Sequence, residues 1–457
     1  MATPAPSLSS LFPVHSYGQT PVVILDGGMG TSLQAPPFSL SLDSDLWSSE
    51  LLATPQGRES LERLHHAWIT ESGAQVVESC TYQSSLPLFL PREGPYTPSQ
   101  TSSALSVMTS ALPLLTSLTR SPSDPSSDER PIAALSLGPF GAALQPGQEY
   151  SGLYPPPFGP ASPPAKPSPS RLAAGEPAIA AAGPLPLELF APKTASDAAA
   201  NDEAHLAAWH LQRLEHFATA PAFSALGVLA FETIPNLSEA RAIRRAVAAF
   251  RARGGPERQM PFFISFVFPL VAAGPAGEGK GEGQGQGQEE VKLPDQTLSH
   301  LSLAEQAPLI VSSAFGSLVH DDDDDDDEAG AAAARPDGIG FNCTSPLRAA
   351  EVVETLSSAL ASFSFSRPQS SGSSKPWLVL YPDGGAVYDV HTRSWSHPLG
   401  LSDSGWAKVV ADAAGVARER DAVWGGVIAG GCCKAGFGAI RALRDECEAR
   451  GWTRRRE

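Results

Sequence analysis

Short apolar runs alternate along the chain with longer stretches whose apolar positions recur every three or four residues. The short runs read as buried strands and the longer stretches as amphipathic helices. Strands are predicted at 22–25, 75–77, 132–137, 228–231, 262–268, 338–341, 378–381 and 427–429. Helices are predicted over 57–71, 102–118, 201–217, 301–315, 347–363, 406–418 and 436–450, with one more starting at Asn236. In the first, Leu61, Leu64, Trp68 and Ile69 share a face. Asn236 is a good N-cap, with Glu239 three residues on completing a capping box, and Gly254-Gly255 stop that helix. This alternation predicts an α/β fold, a (β/α)8 barrel, with an open doubly wound sheet as the other compatible topology. One domain over 1–457 is expected, with its core at about 20–450.

Four stretches break the pattern: about 155–200 (Pro, Ala and Ser), 274–300 (a Gly/Gln/Glu tract over 274–288), 320–336 (an acidic and an Ala run) and 366–374 (Ser-rich). They lack periodicity and read as loop insertions in a barrel that continues on both sides.

Composition narrows the function classes. The 457 residues are 42% hydrophobic, enough for a large core, and carry a formal net charge of -17. Asp321 to Asp327 and Glu328 concentrate part of that charge in a run that reads as a solvated loop. A calcium site would need spaced oxygen ligands and a turn glycine, which the run lacks. An acidic chain is a poor partner for nucleic acid or anionic lipid. Residues 1–20 contain no Lys or Arg and no long apolar run, so no signal or transit peptide is expected. No segment approaches the ~20 apolar residues of a membrane span. A soluble, cytoplasmic protein is expected.

Five cysteines in so long a chain are not a disulfide framework, and reduced thiols or metal ligands fit better. The motifs worth noting stand at predicted strand ends: Asp26-Gly27-Gly28-Met29-Gly30-Thr31, Cys80-Thr81-Tyr82-Gln83, Gly138-Pro139-Phe140-Gly141, Phe231-Glu232-Thr233, Asn342-Cys343-Thr344 and Gly430-Gly431-Cys432-Cys433. In a barrel they would meet on the C-terminal face, where active sites lie. Three soft thiolates, Cys343, Cys432 and Cys433, would hold Zn²⁺ with one position open, and Gly430-Gly431 permit the bend that lets adjacent cysteines share an ion. Spacing alone leaves this reading and that of buried, inert thiols both open. Such a zinc would bind a substrate thiol as thiolate, whereas a free thiol with a pKa of ~8.5 is mostly protonated at neutral pH. A nucleophile of this kind suits a cationic methyl donor, because charge is neutralised in the transition state.

The motifs resemble those of the homocysteine S-methyltransferase family. The opening Asp26–Thr31 segment, Thr81-Tyr82-Gln83-Ser84-Ser85, Phe231-Glu232-Thr233-Ile234-Pro235-Asn236, Gly340-Phe341-Asn342-Cys343-Thr344-Ser345-Pro346, Tyr381-Pro382-Asp383-Gly384-Gly385 and Gly430-Gly431-Cys432-Cys433 occur in the family's order. The resemblance implies a (β/α)8 barrel with one Zn²⁺ on the three cysteines. It also implies methyl transfer from a sulfonium donor, S-methylmethionine or S-adenosylmethionine, to homocysteine, giving methionine. Betaine-using relatives share the zinc barrel. Glu232 would then bind the homocysteine amino group, Asp26 with the backbone of Gly27, Gly28 and Met29 would position the amino acid, and Asn342 would sit beside the metal. Without the resemblance, Asp26 would read as a turn or cap residue and Glu232 as one half of a salt bridge. Trp47 and Tyr82 could face the cationic donor or simply pack. The role of Glu149-Tyr150, which resembles a loop of relatives, stays open.

The chain departs from the family where Lys434-Ala435-Gly436-Phe437 replaces the usual Arg-Thr-Thr-Pro, and where Cys80 replaces Asn, Ser or Ala. Cys447 reads as structural, and His65 and His66 as surface or core residues. A non-catalytic zinc- or thiol-binding barrel with a regulatory role, and a methyltransferase that uses betaine or selenocysteine, are the alternative functions. Neither the donor nor the oligomeric state can be read from the sequence.

Overall fold

The computed structural model describes the chain apart from residues 1–5, 14–19, 92–95, 121–129, 145–147, 160–181, 191–197, 272–289, 318–332, 365–374, 390–393, 397–398 and 454–457. Eight parallel strands form the central sheet: β1 Val22–Ile24, β2 Val76–Glu78, β3 Ile132–Leu137, β4 Val228–Ile234, β5 Phe262–Val267, β6 Gly338–Asn342, β7 Trp377–Tyr381 and β8 Val427–Ala429. They are hydrogen-bonded in sequence order from β2 to β8, and β8 pairs with β1. A parallel Leu25–Val76 bridge brings β1 back to β2, so the sheet curls into the expected barrel. Around it lie α1 Pro55–Thr70, α2 Pro98–Thr109, α3 Ala111–Thr116, α4 Ala198–Ala218, α5 Leu237–Ala252, α6 Leu303–Phe315, α7 Ala349–Ser362, α8 Asp403–Arg418 and α9 Phe437–Ala449.

Both faces of the sheet are buried, which is why its strands read as near-continuous apolar runs. Val22, Ile24, Leu135, Leu137, Leu229 and Phe231 pack outward into the helix layer. Val23, Val76, Ala134, Ala230, Phe263, Val379 and Ile428 form a separate cluster inside the barrel. That inner core is closed from below by the short helix Leu8–Leu11 and Phe12, whose ring lies 5.7 Å from that of Trp377. Trp377 also donates from Nε1 to Ser9 Oγ at 3.0 Å. Nothing in the periodicity of the first residues signals this plug, because four residues are too few to show a period.

Towards the C-terminal ends of the strands, the inward positions turn polar. Two residues past Val76, Ala134, Ala230 and Phe263 stand Glu78, Ser136, Glu232 and Ser265, and two past Gly340 stands Asn342. Side chains alternate across a strand, so these residues sit one layer above the apolar core. Gly340 is required by close approach: a Cβ there would lie 1.7 Å from Val379 O.

Three expectations are corrected. The helix predicted over 102–118 is two helices, α2 and α3, meeting at Ser110, and it starts earlier, at a Thr97–Gln100 capping box. Asn236 does cap α5, accepting from Glu239 N at 2.8 Å, but Glu239 closes no capping box. Its carboxylate is fully buried and accepts instead from Phe140 N at 2.6 Å, from Tyr154 Oη and from His210 Nε2 at 3.0 Å. The expected insertions are partly structured, because isolated apolar side chains bury without any period. Phe158 stacks on Phe140 at 4.0 Å, Phe190 is buried, and Val291 and Leu293 join the outer core. The Asp321–Asp327 run, the 274–288 tract and residues 366–374 lie outside the described residues. Among the described residues, no helix is long and apolar enough to cross a membrane.

His65 of α1 is fully buried, and neither ring nitrogen has a hydrogen-bond partner. Burial lowers its pKa to about 4. The unfolded chain, with an ordinary imidazole near 6.5, takes up the proton first, so this residue costs stability increasingly as pH falls from 6.5 towards 4. His65→Leu is predicted to raise stability by about 1 kcal/mol at pH 7 and by about 3 kcal/mol more near pH 4. Urea melts of both proteins across that range would check this, and a constant difference would refute the titration.

Candidate active site

The polar layer opens into a cavity of about 240 Å³, lined by the turn after β1, by residues of strands β2 to β4, by Tyr381 and by all three cysteines. Cys343 follows β6 directly, in the left-handed region at φ +48°. Cys432 and Cys433 follow β8, and their loop is pinned on both sides. Gly431 N donates to Asp26 O at 3.0 Å, Cys432 N to Pro382 O at 2.8 Å, and Gly384 N to Cys433 O at 2.7 Å. The three sulfur atoms lie within 4.8 Å of one another, and among the described residues they are the one cluster with the makings of a metal site. The Cys343 and Cys432 sulfurs are in contact, with Cα atoms 5.6 Å apart, and Cys433 stands beside them as a free thiol. Sulfurs this close either share a cation or bond to each other, so the reduced protein is the form that can offer three ligands. Burial, with Asp383 and Glu149 adding negative charge, pushes the Cys433 thiol up to about 12. A thiolate there needs a cation beside it.

Asn342 holds this cluster. Its Oδ1 accepts from Thr233 N at 2.7 Å and Ser265 Oγ at 2.8 Å. Its Nδ2 donates to Thr233 Oγ1 at 2.7 Å and faces Cys343 Sγ at 3.4 Å and Cys432 Sγ at 3.7 Å. The donors on one side fix the amide orientation, so the other side presents N–H to sulfur, an arrangement that favours thiolates. Asn342 is fully buried and absent from the cavity wall. It therefore stands behind the thiols rather than contacting an amino acid, while Asp26, Gly27, Gly28, Met29, Glu232, Trp47 and Tyr82 all reach the cavity.

Opposing charges are sparse at the other end. Burial raises the pKa of Asp26, with Glu232 adding to it, and Asp26 Oδ2 accepts from Glu78 N at 2.9 Å. Burial, then Glu232 and Asp26, raise that of Glu78, whose Oε1 has no partner. Burial raises Glu232 to about 7 despite a hydrogen bond from Ser136 Oγ and the Arg213 charge. Three carboxylates that hold one another back from ionising form a receptor for a cation. Glu78, Ser136 and Arg213 were not singled out in the sequence, and Thr233 and Tyr381 stood in its motifs without a role. Glu78 and Ser136 could have been found from the switch to polar residues at inward strand positions, whereas Arg213, on a helix, carries no such signal.

The turn after β1 does less than expected through its backbone. Gly28 N is spent on Ala435 O at 3.0 Å, and a Cβ at Gly28 would lie 2.5 Å from Cys432 O. These glycines let the cysteine loop pack against β1. Tyr82 reaches towards Glu149, Oη to Oε1 at 3.5 Å, and Trp47, Tyr150 and Tyr381 supply further aromatic wall. Cys80 lines the cavity but is almost fully buried, with a thiol pushed up to about 12 by burial, while Cys447 is buried in α9.

A barrel with a thiol cluster and a carboxylate cluster in one cavity at the strand C-termini defines a class: an enzyme for small thiol substrates that carry a positive group. The homocysteine S-methyltransferase family model matches residues 23–165 and 172–447, and the chain belongs to that family. Over 433 residues, covering 93% of this chain and 89% of the relative, it is 23% identical to a selenocysteine Se-methyltransferase of Brassica oleracea var. italica. It is also 23% identical to homocysteine S-methyltransferase YbgG of Bacillus subtilis, over 92% of each chain. The metallated homocysteine methyltransferase MmuM of Escherichia coli superposes with a TM-score of 0.51 at 18% identity, over 96% of this chain and 99% of that one, a likeness of fold. The protein is thus a methyltransferase.

Asn342→Leu is predicted to leave Thr233 and Ser265 donors buried without partners, at a cost of about 3 kcal/mol. It should also weaken metal affinity by roughly 10- to 100-fold. Thermal melts and a zinc competition titration would check both, and unchanged affinity would remove Asn342 from the thiol site.

Proposed function

We propose that the protein transfers a methyl group from a sulfonium donor to the thiol of homocysteine, with zinc held by Cys343, Cys432 and Cys433. The observation that carries this reading is that one cavity is lined both by the three cysteines and by Asp26, Glu78 and Glu232. The two groups fit a thiol amino acid, sulfur to the cysteines and ammonium to the carboxylates. Bound zinc would supply the Lewis acidity that lowers the acceptor thiol's pKa. The donor set fits that ion: three sulfurs converge, a fixed N–H faces two of them, and among the described residues no fourth ligand closes the group.

The chain's own residues do the rest. Glu232 and Asp26 bind and orient the acceptor, Asn342 holds the cysteines, and the aromatic wall with Trp47 and Tyr82 excludes water and accommodates a cation over ring faces. In the transfer, the donor's S–CH₃ bond breaks as the acceptor's S–CH₃ bond forms. The bonding pair stays on the donor sulfur, which leaves as a neutral thioether, and the acceptor's thiol proton passes to solvent. A reducing compartment such as the cytoplasm suits a site that needs three free thiols. A second reading, methylation of selenocysteine, is favoured by the name of the Brassica relative.

The test is a panel of S-methylmethionine, S-adenosylmethionine and betaine against homocysteine and selenocysteine, run with zinc quantification on reduced protein. One zinc per chain and product from a sulfonium donor are expected. Cys433→Ser should lose both, and full turnover in metal-depleted protein would sink the proposal. Acceptor affinity should rise as pH increases through about 7, when Glu232 gives up its proton to become the carboxylate that an ammonium needs. Glu232→Gln should raise the acceptor KM by roughly 10- to 100-fold and flatten that pH dependence. A pH profile that survives the substitution would assign the titration elsewhere.

A further inference from the structure

A buried guanidinium lies behind the cavity wall, and among the described residues no carboxylate is bound to it. Arg213 of α4 is 3% exposed. Its Nε donates to Ser84 O at 2.6 Å, its Nη1 to Gly138 O at 2.7 Å, and its Nη2 to Thr81 O at 2.8 Å and Tyr82 O at 2.6 Å. Its plane lies over Trp209, 5.2 Å from the ring centroid. The Glu239 and Glu232 charges offset part of the cost of burying it.

All four carbonyls belong to the segments that leave β2 and β3, where the regular strand ladder has ended. A planar fork that donates in several fixed directions can serve them together, whereas an ammonium cannot. Tyr82 gains most from this. Its carbonyl accepts from Arg213 and also from Gly138 N at 2.9 Å. Its ring lies on the backbone at Gly138, where an added Cβ would be 2.7 Å from the ring's Cε2. Gly138 O is held by the same guanidinium. The ring, its own backbone and the surface beneath it therefore hang on one side chain.

We propose that Arg213 is a positioning residue for methyl transfer: by gathering the Thr81, Tyr82, Ser84 and Gly138 carbonyls, it fixes the Tyr82 ring in the cavity wall that receives the methyl donor. This rests on the donor reading above. Arg213 touches no substrate and acts through Tyr82.

The test compares wild type, Arg213→Lys, Tyr82→Ala and the double variant as zinc-loaded full-length proteins, with S-methylmethionine and S-adenosylmethionine as donors. Wild-type turnover tests the function itself, and only the ratios between variants test Arg213. Arg213→Lys should lower kcat/KM for the donor by roughly 10- to 100-fold, through displacement of the ring, with the acceptor KM and zinc content unchanged. In the Tyr82→Ala background the same substitution should have no further effect on donor KM. Equal changes in donor and acceptor KM, additive effects in the double variant, or a lower melting temperature with an unchanged donor KM would each reduce Arg213 to a structural role. Gly138→Ala presses on the ring and on the Tyr82 carbonyl while keeping the Arg213 side chain itself, and should show the same donor-selective loss. If Arg213→Lys does not fold, Gly138→Ala in the presence and absence of Tyr82→Ala decides the question by the same criteria.

Discussion

Everything at the cavity depends on the amide of Asn342. Four strands end around it: β4 contributes Thr233, β5 Ser265, β6 the asparagine itself, and β8 leads into Cys432. Had its oxygen faced the sulfurs, the cluster would meet a lone pair instead of an N–H, and Thr233 N and Ser265 Oγ would be buried without acceptors. Thr233 shows what this arrangement costs. A β-branched residue at φ +61° is strained, and its two hydrogen bonds to one amide are what hold it there. Cys343, Trp47 and Lys434 are likewise left-handed, so much of the non-glycine backbone strain gathers at this one end of the barrel.

The second constraint is electrostatic. Asp26, Glu78 and Glu232 line the cavity together with Asp43 and Glu149, and Arg213, the buried cation whose charge acts on Glu232, donates to carbonyls. The protein thus leaves acidic groups undercompensated where it could have paired them. Burial then keeps protons on these carboxyls until a cation arrives, and binding an ammonium becomes an exchange of proton for substrate. The thiol end has the complementary problem, since a buried thiol pushed up to about 12 ionises only beside a positive charge. Both ends of the cavity are poised for a positively charged occupant, and the three thiols converge where a metal would stand.

The barrel was legible because both faces of every strand are buried and each strand is followed by a helix of ordinary period. Predicted β3 and β8 match the structure to the residue, and the other strands differ by one to three at their ends. The cysteines and Glu232 were legible through their motifs. What escaped was whatever depends on contacts remote in sequence. Glu239 looked like a capping residue because Asn236 stands three before it, yet a buried Phe140 N–H and His210 compete for its carboxylate and win. Arg213 fell inside a predicted helix and had no reading of its own. Its partners lie 75 or more positions away. The packed aromatics Phe158 and Phe190, in Pro- and Ala-rich surroundings, bury one at a time, which no periodicity can reveal.

The loop after Cys433 is where the sequence leaves the family pattern, and the structure explains why it can. Lys434 N donates to Thr31 Oγ1 at 2.8 Å, Ala435 N to Cys432 O at 3.0 Å, and Ala435 O accepts from Gly28 N at 3.0 Å. Each of these contacts uses the loop's backbone, so none depends on the side chains that differ. The close approach is met instead by Gly27 and Gly28, where a Cβ would strike Ala435 O or Cys432 O at 2.4–2.5 Å. Phe437 then turns its ring onto Trp68, with centroids 4.2 Å apart, and seals the loop to α1. The backbone contacts of Lys434 and Ala435 thus hold whatever the side chains as long as the glycines opposite stay, and the thiol cluster inherits its position from β1 as much as from β8.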